Sequence, residues 1–108
     1  MALSDDQASL LQLLGYVYLQ CARPERAAVV FAALDVMTPD QPKVLRSLAL
    51  AHLRSDKPQR ALDALDRLAM SGSVDAVFHL LRAQSLQRLD RAEEAAAAMQ
   101  SYVHLRAT

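Results

Sequence analysis

Small residues recur in this sequence at a fixed interval of 34 positions. The interval appears in two series, which are Gly15, Ala49, Ala83 and Ala27, Ala61, Ala95. A period of this length is typical of structural repeats that each supply one pair of helices. Because a single pair cannot bury its apolar face alone, the units must stack, and the chain is expected to form a helical solenoid.

Other positions follow the same period, and their residue types match the tetratricopeptide repeat. Counted from Ala8, the consensus Trp, Leu, Gly, Tyr, Ala, Phe and Pro is met by Leu11, Leu14, Gly15, Tyr18, Ala27, Phe31 and Pro39. The unit that starts at Pro42 has Leu45, Leu48, Ala49, His52, Ala61, Leu65 and Ser73. The unit that starts at Ala76 keeps Ala83, Leu86, Ala95 and Met99, but has His79 and Arg82 where large apolar residues are usual. We predict one domain, 1–108, with repeats at about 8–41, 42–75 and 76–108.

The fold class that follows is all-α. Three antiparallel helix pairs should form a short right-handed solenoid with a concave groove, and their six helices are predicted at about 5–21, 24–37, 41–55, 58–70, 74–89 and 92–106. Ser4 is a candidate N-cap, and Pro24 and Pro58 occupy the first turn of a second helix, where a missing N–H costs little. Asp90 either caps the last helix or lies inside a continuous one.

Composition limits the kind of partner. Among 108 residues, 12 Lys and Arg balance 12 Asp and Glu, so the chain has no basic field for nucleic acid or an anionic membrane. Met1 to Asp6 lack the pattern of a signal peptide, and no apolar run is long enough to span a membrane. The lone Cys21 excludes an intrachain disulfide and fits a reducing cytoplasm. A protein partner is expected.

In such a solenoid the first helix of each unit lines the concave groove. The positions that should face inward are Ser9, Gln12, Leu13, Tyr16, Leu19 and Gln20 in the first unit, Lys43, Arg46, Ser47, Leu50, Leu53 and Arg54 in the second, and Val77, Leu80, Leu81, Gln84, Gln87 and Arg88 in the third. From these we predict a mainly apolar protein-binding site formed by Leu13, Tyr16, Leu19, Gln20, Arg46, Leu50, Leu53, Arg54, Leu80, Leu81, Gln84 and Arg88. An exposed apolar patch of this size usually marks a binding surface, although any one of the leucines could instead complete the core.

Residues for catalysis or for a cofactor are not apparent. His52, His79 and His104 fall in different units without metal-ligand spacing, and no Gly-rich phosphate loop is present. The chain also contains no Asn, which the carboxylate-clamp version of this repeat requires. We expect a non-enzymatic protein with no metal and no cofactor.

The last helix contains an apolar stripe that should pack on its partner helix, formed by Ala95, Met99, Tyr102 and Val103. Ala96, Ala97 and Ala98 would leave the remaining surface smooth, which suits contact with another chain and equally suits a good helix former. Solenoids commonly finish with a polar capping helix, and none follows this hairpin in the sequence. The last pair is therefore expected to be covered by something else.

Beyond the repeat, one family is similar to this chain. Leu13 to Cys21, the Glu25-Arg26-Ala27 triplet, Arg82-Ala83-Gln84 with Leu86, and Tyr102 to Leu105 resemble the SctY/YscY chaperones of bacterial type III secretion. The resemblance covers nearly the whole chain. It implies a heterodimer with SctX, a small secreted export component, which the chaperone stabilises and brings to the export gate SctV. It also implies a cytoplasmic protein that acts at the inner-membrane export apparatus.

Two alternatives stay open at this level. One is a chaperone for the hydrophobic translocator proteins of the same system, although those chaperones usually have an additional N-terminal helix. The other is a structural repeat protein that forms homo-oligomers through its ends and has no client.

Overall fold

The computed structural model describes residues 4–107, which form six α-helices and no strand. The helices are α1 (Asp5–Gln20), α2 (Pro24–Met37), α3 (Pro42–Arg54), α4 (Pro58–Met70), α5 (Ala76–Arg88) and α6 (Ala92–Ala107). Every boundary lies within two residues of its predicted position. The all-α class predicted from the sequence is confirmed.

Consecutive helices pack on each other along the whole described chain, and α3 also packs directly on α5. The resulting body is elongated, with principal extents of 42 × 26 × 21 Å. One apolar core runs through it, and its largest fully buried apolar side chains are Phe31, Leu34, Val44, Leu45, Leu65, Leu68 and Leu86. The helices therefore follow one another in space in the same order as in the sequence.

Five of the six small residues with the 34-residue period are buried, and Ala95 is half-buried. A Cβ atom placed on Gly15 of α1 would lie 2.5 Å from Cζ of Phe31 in α2, and Phe31 is fully buried. Ala27, Ala49 and Ala61 are also completely buried. At Gly15 the two helices approach too closely for a larger side chain, and the buried alanines at the other positions fit the same packing.

Local sequence signals explain where the helices begin. Ser4 accepts a hydrogen bond from the Gln7 amide, and the Gln7 side chain accepts one from the Ser4 amide, so the predicted N-cap is confirmed as a full capping box. Pro24, Pro42 and Pro58 each lie in the first turn of a helix, where their missing N–H has no intrahelical partner to lose.

The turn inside each helix pair has the same backbone conformation. Ala22, Asp56 and Asp90, which are spaced 34 residues apart, have left-handed φ angles of 57°, 59° and 58°. In each turn the amide of the following residue donates to the carbonyl five residues earlier, as in Arg23 to Tyr18 at 2.8 Å. This pattern is a Schellman motif. Asp90 therefore neither caps α6 nor continues a helix, because it occupies the left-handed position just after α5.

Glycine at Ala22 should stabilise the chain. A left-handed conformation costs an L-residue with a Cβ about 1–2 kcal/mol, whereas glycine adopts it freely at a smaller entropic cost. We expect Ala22→Gly to raise the free energy of unfolding by about 0.5–1 kcal/mol. The matched control is Ala32→Gly, on an exposed helical position of α2, which should lower it by about 1 kcal/mol. Urea unfolding measures both, and a loss of stability in Ala22→Gly would contradict the prediction.

An ion-pair network connects the first and second helix pairs. The Arg67 guanidinium on α4 donates to both carboxylate oxygens of Asp35 on α2, at 2.5 and 2.8 Å, and also to Asp40 in the following turn at 2.8 Å. The Asp35 side chain is only 12% exposed. The bonds from Arg67 hold the pKa of Asp35 below its ordinary value, although burial opposes this effect.

The lowered pKa of Asp35 predicts a loss of stability in acid. The pKa of Asp35 in the folded chain lies below the unfolded value of about 3.9. The stability that the Asp35–Arg67 pair contributes is therefore fully present above that pH, and it is lost as the pH falls through the folded pKa. Since Arg67 is partly exposed, we expect Asp35→Asn to cost about 1–2 kcal/mol at pH 7. Urea unfolding at pH 7 and in strong acid should show a smaller acid loss in the variant. An equal loss in both proteins would contradict the assignment.

None of the helices in residues 4–107 is long and apolar enough to span a membrane.

Candidate protein-binding groove

A cleft of about 540 Å³ lies between α3 and α5. Its lining consists of Leu50, Leu53, Arg54, Gln84, Gln87 and Arg88. All six occupy positions predicted to face the groove, and they come from two helices that pack directly on each other. The structure therefore brings together the second and third parts of the predicted groove.

The surface of this cleft is more polar than predicted. Arg54, Gln84, Gln87 and Arg88 are exposed, whereas Leu50 is half-buried and Leu53 is only 3% exposed. Guanidinium and amide groups donate hydrogen bonds, so they suit carboxylate or backbone carbonyl oxygens. The expectation of a mainly apolar groove is wrong for this part of the molecule.

Three leucines of the predicted site belong to the core. Leu19, Leu53 and Leu81 are 9%, 3% and 5% exposed, and all three are part of the continuous apolar cluster. Because α3 packs directly on α5, side chains between these two helices, such as Leu53 and Leu81, are covered, whereas Leu19 is buried on α1. The prediction that these leucines form an exposed patch is therefore wrong.

The two arginines of the cleft differ in how they are bonded. The Arg88 guanidinium donates to the backbone carbonyl of Leu53 at 2.5 Å and lies 3.8 Å from the Asp56 carboxylate. It thereby adds a second bond to a carbonyl at the end of α3, which also accepts the Asp56 amide at 3.1 Å. Arg54 forms no salt bridge within residues 4–107, so its charge is available to a ligand.

Arg46 has a structural contact that the sequence did not reveal. Its guanidinium lies 2.8 Å from one carboxylate oxygen of Asp75, while the other oxygen accepts the Phe78 amide and caps α5. The Nε atom of Arg46 is buried without a hydrogen-bond partner. Arg46 thus connects α3 to the start of α5 and lies outside the cleft lining.

The predicted residues on α1 lie outside the α3–α5 cleft. Leu13 is 58% exposed and Gln20 is also exposed, while Tyr16 is 38% exposed. The Tyr16 ring lies 5.5 Å from the Phe31 ring, and its hydroxyl is 3.5 Å from Ser47 Oγ on α3. Tyr16 therefore packs between helices, whereas Leu13 stays on the surface. Leu80 on α5 is half-buried and does not line the cleft.

Histidine and acidic residues are not clustered in the described part of the chain. Residues 4–107 contain no group of three or more His, Cys, Asp or Glu side chains that could hold a metal ion. His52 is half-buried, and this burial is the main cause that lowers its pKa. The nearby positive charges of Arg60 and Lys57 lower the pKa further. Cys21 is an exposed free thiol at the end of α1.

Sequence reasoning missed an exposed apolar stripe on α1. Leu10, Leu14 and Val17 are 66%, 40% and 43% exposed. Their spacing of four and three residues places them on one side of the helix. The spacing is present in the sequence, but Leu14 also matches a consensus position of the repeat, which predicts a core residue.

No protein-family model and no curated protein matches this sequence.

Proposed function

We propose that the six helices form three tetratricopeptide repeats stacked as a short right-handed solenoid. The repeated Schellman turn at Ala22, Asp56 and Asp90 supports this proposal, because it places the same helix-pair turn at the same position of each 34-residue unit. The contact between α3 and α5 also fits, since the first helices of neighbouring units lie side by side in such a stack.

The function that this geometry supports best is binding a segment of another protein. The observation on which it rests is the α3–α5 cleft, whose lining coincides with groove positions derived from the repeat alone. Arg54 and the two glutamines offer donors, and Leu50 offers apolar surface. The matching ligand is a short segment with acidic side chains or free carbonyl groups and one apolar residue to contact Leu50.

For the partner we propose SctX, on the basis of the resemblance to the SctY/YscY chaperones. Binding would cover apolar surface of SctX and stabilise both proteins by mass action, before SctX reaches the export gate SctV. The action takes place in the cytoplasm and at the export apparatus of the inner membrane. No catalytic step, metal or cofactor takes part.

Co-expression tests this proposal. SctX from the same bacterium is produced with a tag, alone and together with the untagged chain. We expect the chain to co-purify with SctX as a heterodimer and SctX to be more soluble in its presence. The thermal unfolding temperature of the chain should rise with SctX concentration. Purified SctX that neither binds the chain nor shifts this temperature would contradict the assignment of the partner.

A further inference from the structure

The exposed apolar stripe on α1 is equivalent, by the 34-residue period, to a buried face of α3. One period of 34 residues after Leu10, Leu14 and Val17 come Val44, Leu48 and Ala51, which are 1%, 6% and 0% exposed. These three belong to α3, which follows α2 and packs on it. Within residues 4–107, α1 follows no helix. Its apolar stripe is therefore the counterpart of a surface that a preceding helix covers inside the molecule.

A complementary surface lies at the other end, on α6. Met99 and Val103 are 38% and 57% exposed, and with Ala96 they line a shallow surface groove. One period earlier, Ala96 and Met99 correspond to Leu62 and Leu65, which are 5% and 0% exposed on α4, the helix that packs on α5. The apolar stripe of α6 that was predicted to pack on its partner helix (Ala95, Met99, Tyr102 and Val103) is thus exposed in part. Ala98, which was predicted to face outward, is only 4% exposed.

At the two ends of the molecule, the positions equivalent to Asp35 and Arg67 carry apolar residues. Arg67 corresponds, one period earlier, to Ala33, and Asp35 corresponds, two periods later, to Val103. Ala33 is exposed on α2, as Val103 is on α6. Both members of the pair are replaced together by apolar residues. A junction between Val103 and Ala33 would therefore leave no unpaired charge buried.

From this correspondence we propose that a second copy of the chain docks on these ends. The C-terminal face (Ala96, Met99 and Val103) of one copy packs on the N-terminal face (Leu10, Leu14, Val17 and Ala33) of the next, as α2 packs on α3 and α4 on α5. The contact joins two different surfaces, so it does not close on itself and extends into a continuous stack. It uses neither side of the α3–α5 cleft and is independent of the proposed partner.

Analytical ultracentrifugation of the purified chain tests the proposal. The mass should rise above the 11.9 kDa monomer with increasing concentration and should not level off at the dimer. Leu10→Asp and Val103→Asp should each weaken association by about tenfold or more, because a carboxylate is buried in the junction. Both positions are exposed in the single chain, so circular dichroism should stay helical. Met70→Asp, at an 88% exposed position of α4, is the control and should associate like the wild type.

Two combinations test the register of the junction. Adding Ala33→Arg to Val103→Asp should restore association, because it reproduces across the junction the pair that Arg67 and Asp35 form within the chain. Mixing the Leu10→Asp and Val103→Asp variants should give a dimer of limited mass, since only one intact junction can form between them.

Three results would overturn the proposal. They are a chain that stays monomeric up to millimolar concentration, a dimer that Val103→Asp does not weaken, and a Val103→Asp variant that Ala33→Arg fails to restore. The second result would indicate a symmetric contact between two α1 helices.

Discussion

Replacing Gly15 with leucine should detach α1 from α2 and cost about 4–5 kcal/mol or more, at the extreme of single substitutions. Even the first added atom has no room, since a Cβ would lie 2.5 Å from Cζ and 2.8 Å from both Cε atoms of Phe31. The ring is completely buried and cannot swing into solvent. Urea unfolding followed by circular dichroism measures the loss.

Alanine at the same position provides a finer test of this contact. On a free helix Gly→Ala gains about 1 kcal/mol, but here overpacking should reverse the sign and cost about 1–3 kcal/mol. Phe31→Leu removes the ring atoms that the new methyl group would meet. We therefore expect Gly15→Ala to be much less harmful, or even favourable, in the Phe31→Leu background. Strict additivity of the two changes would show that the two residues do not share this contact.

Charge reversal in the cleft should have the largest effect on partner binding. Arg54→Glu with Arg88→Glu replaces two donors by carboxylates, which would repel an acidic or carbonyl-rich segment. We expect the dissociation constant for SctX to rise by about 100-fold, equivalent to about 2.7 kcal/mol. Calorimetric titration of the purified proteins measures it. Both positions are exposed, but Arg88→Glu also removes the bond to the Leu53 carbonyl, so circular dichroism should confirm that the helices are kept. The buried Leu53 would be an unsuitable target because Asp there would disrupt the core.

A matched control separates the cleft from the overall charge of the protein. Arg60→Glu and Arg26→Glu make the same change of charge at exposed positions of α4 and α2. The pair should bind SctX within about threefold of the wild type, since it leaves the cleft intact. Equal weakening by both pairs of substitutions would mean that net charge, and not the cleft, governs binding.

The helices could be predicted well because their signals are local. Pro24 and Pro58 lie in the first turns of α2 and α4. The 34-residue period predicts the remaining boundaries from the equivalent positions in the other helix pairs. The conformation of Asp90 was not predictable in the same way. A left-handed residue after a helix is usually glycine, and the three turns here use Ala22, Asp56 and Asp90 instead.

The candidate site was predicted only in part. The 34-residue period indicates which way a side chain points, but not whether another helix covers it. It correctly indicated which residues point toward the α3–α5 cleft, such as Gln84 and Gln87. It could not give the direct contact of α3 with α5, which buries Leu53 and Leu81. Nor could it give long-range bonds such as the one from Arg88 to the Leu53 carbonyl, which depends on how α5 packs on α3.

Nuclear magnetic resonance can locate a partner segment in the α3–α5 cleft residue by residue. The amide spectrum of the labelled chain is recorded during titration with unlabelled SctX. We expect the largest shifts at Arg54, Gln84 and Gln87, while exposed residues of α4 such as Asp63 should change little. Saturable binding whose shifts are confined to α2 and α4, with the cleft unchanged, would contradict the placement of the partner segment in the cleft.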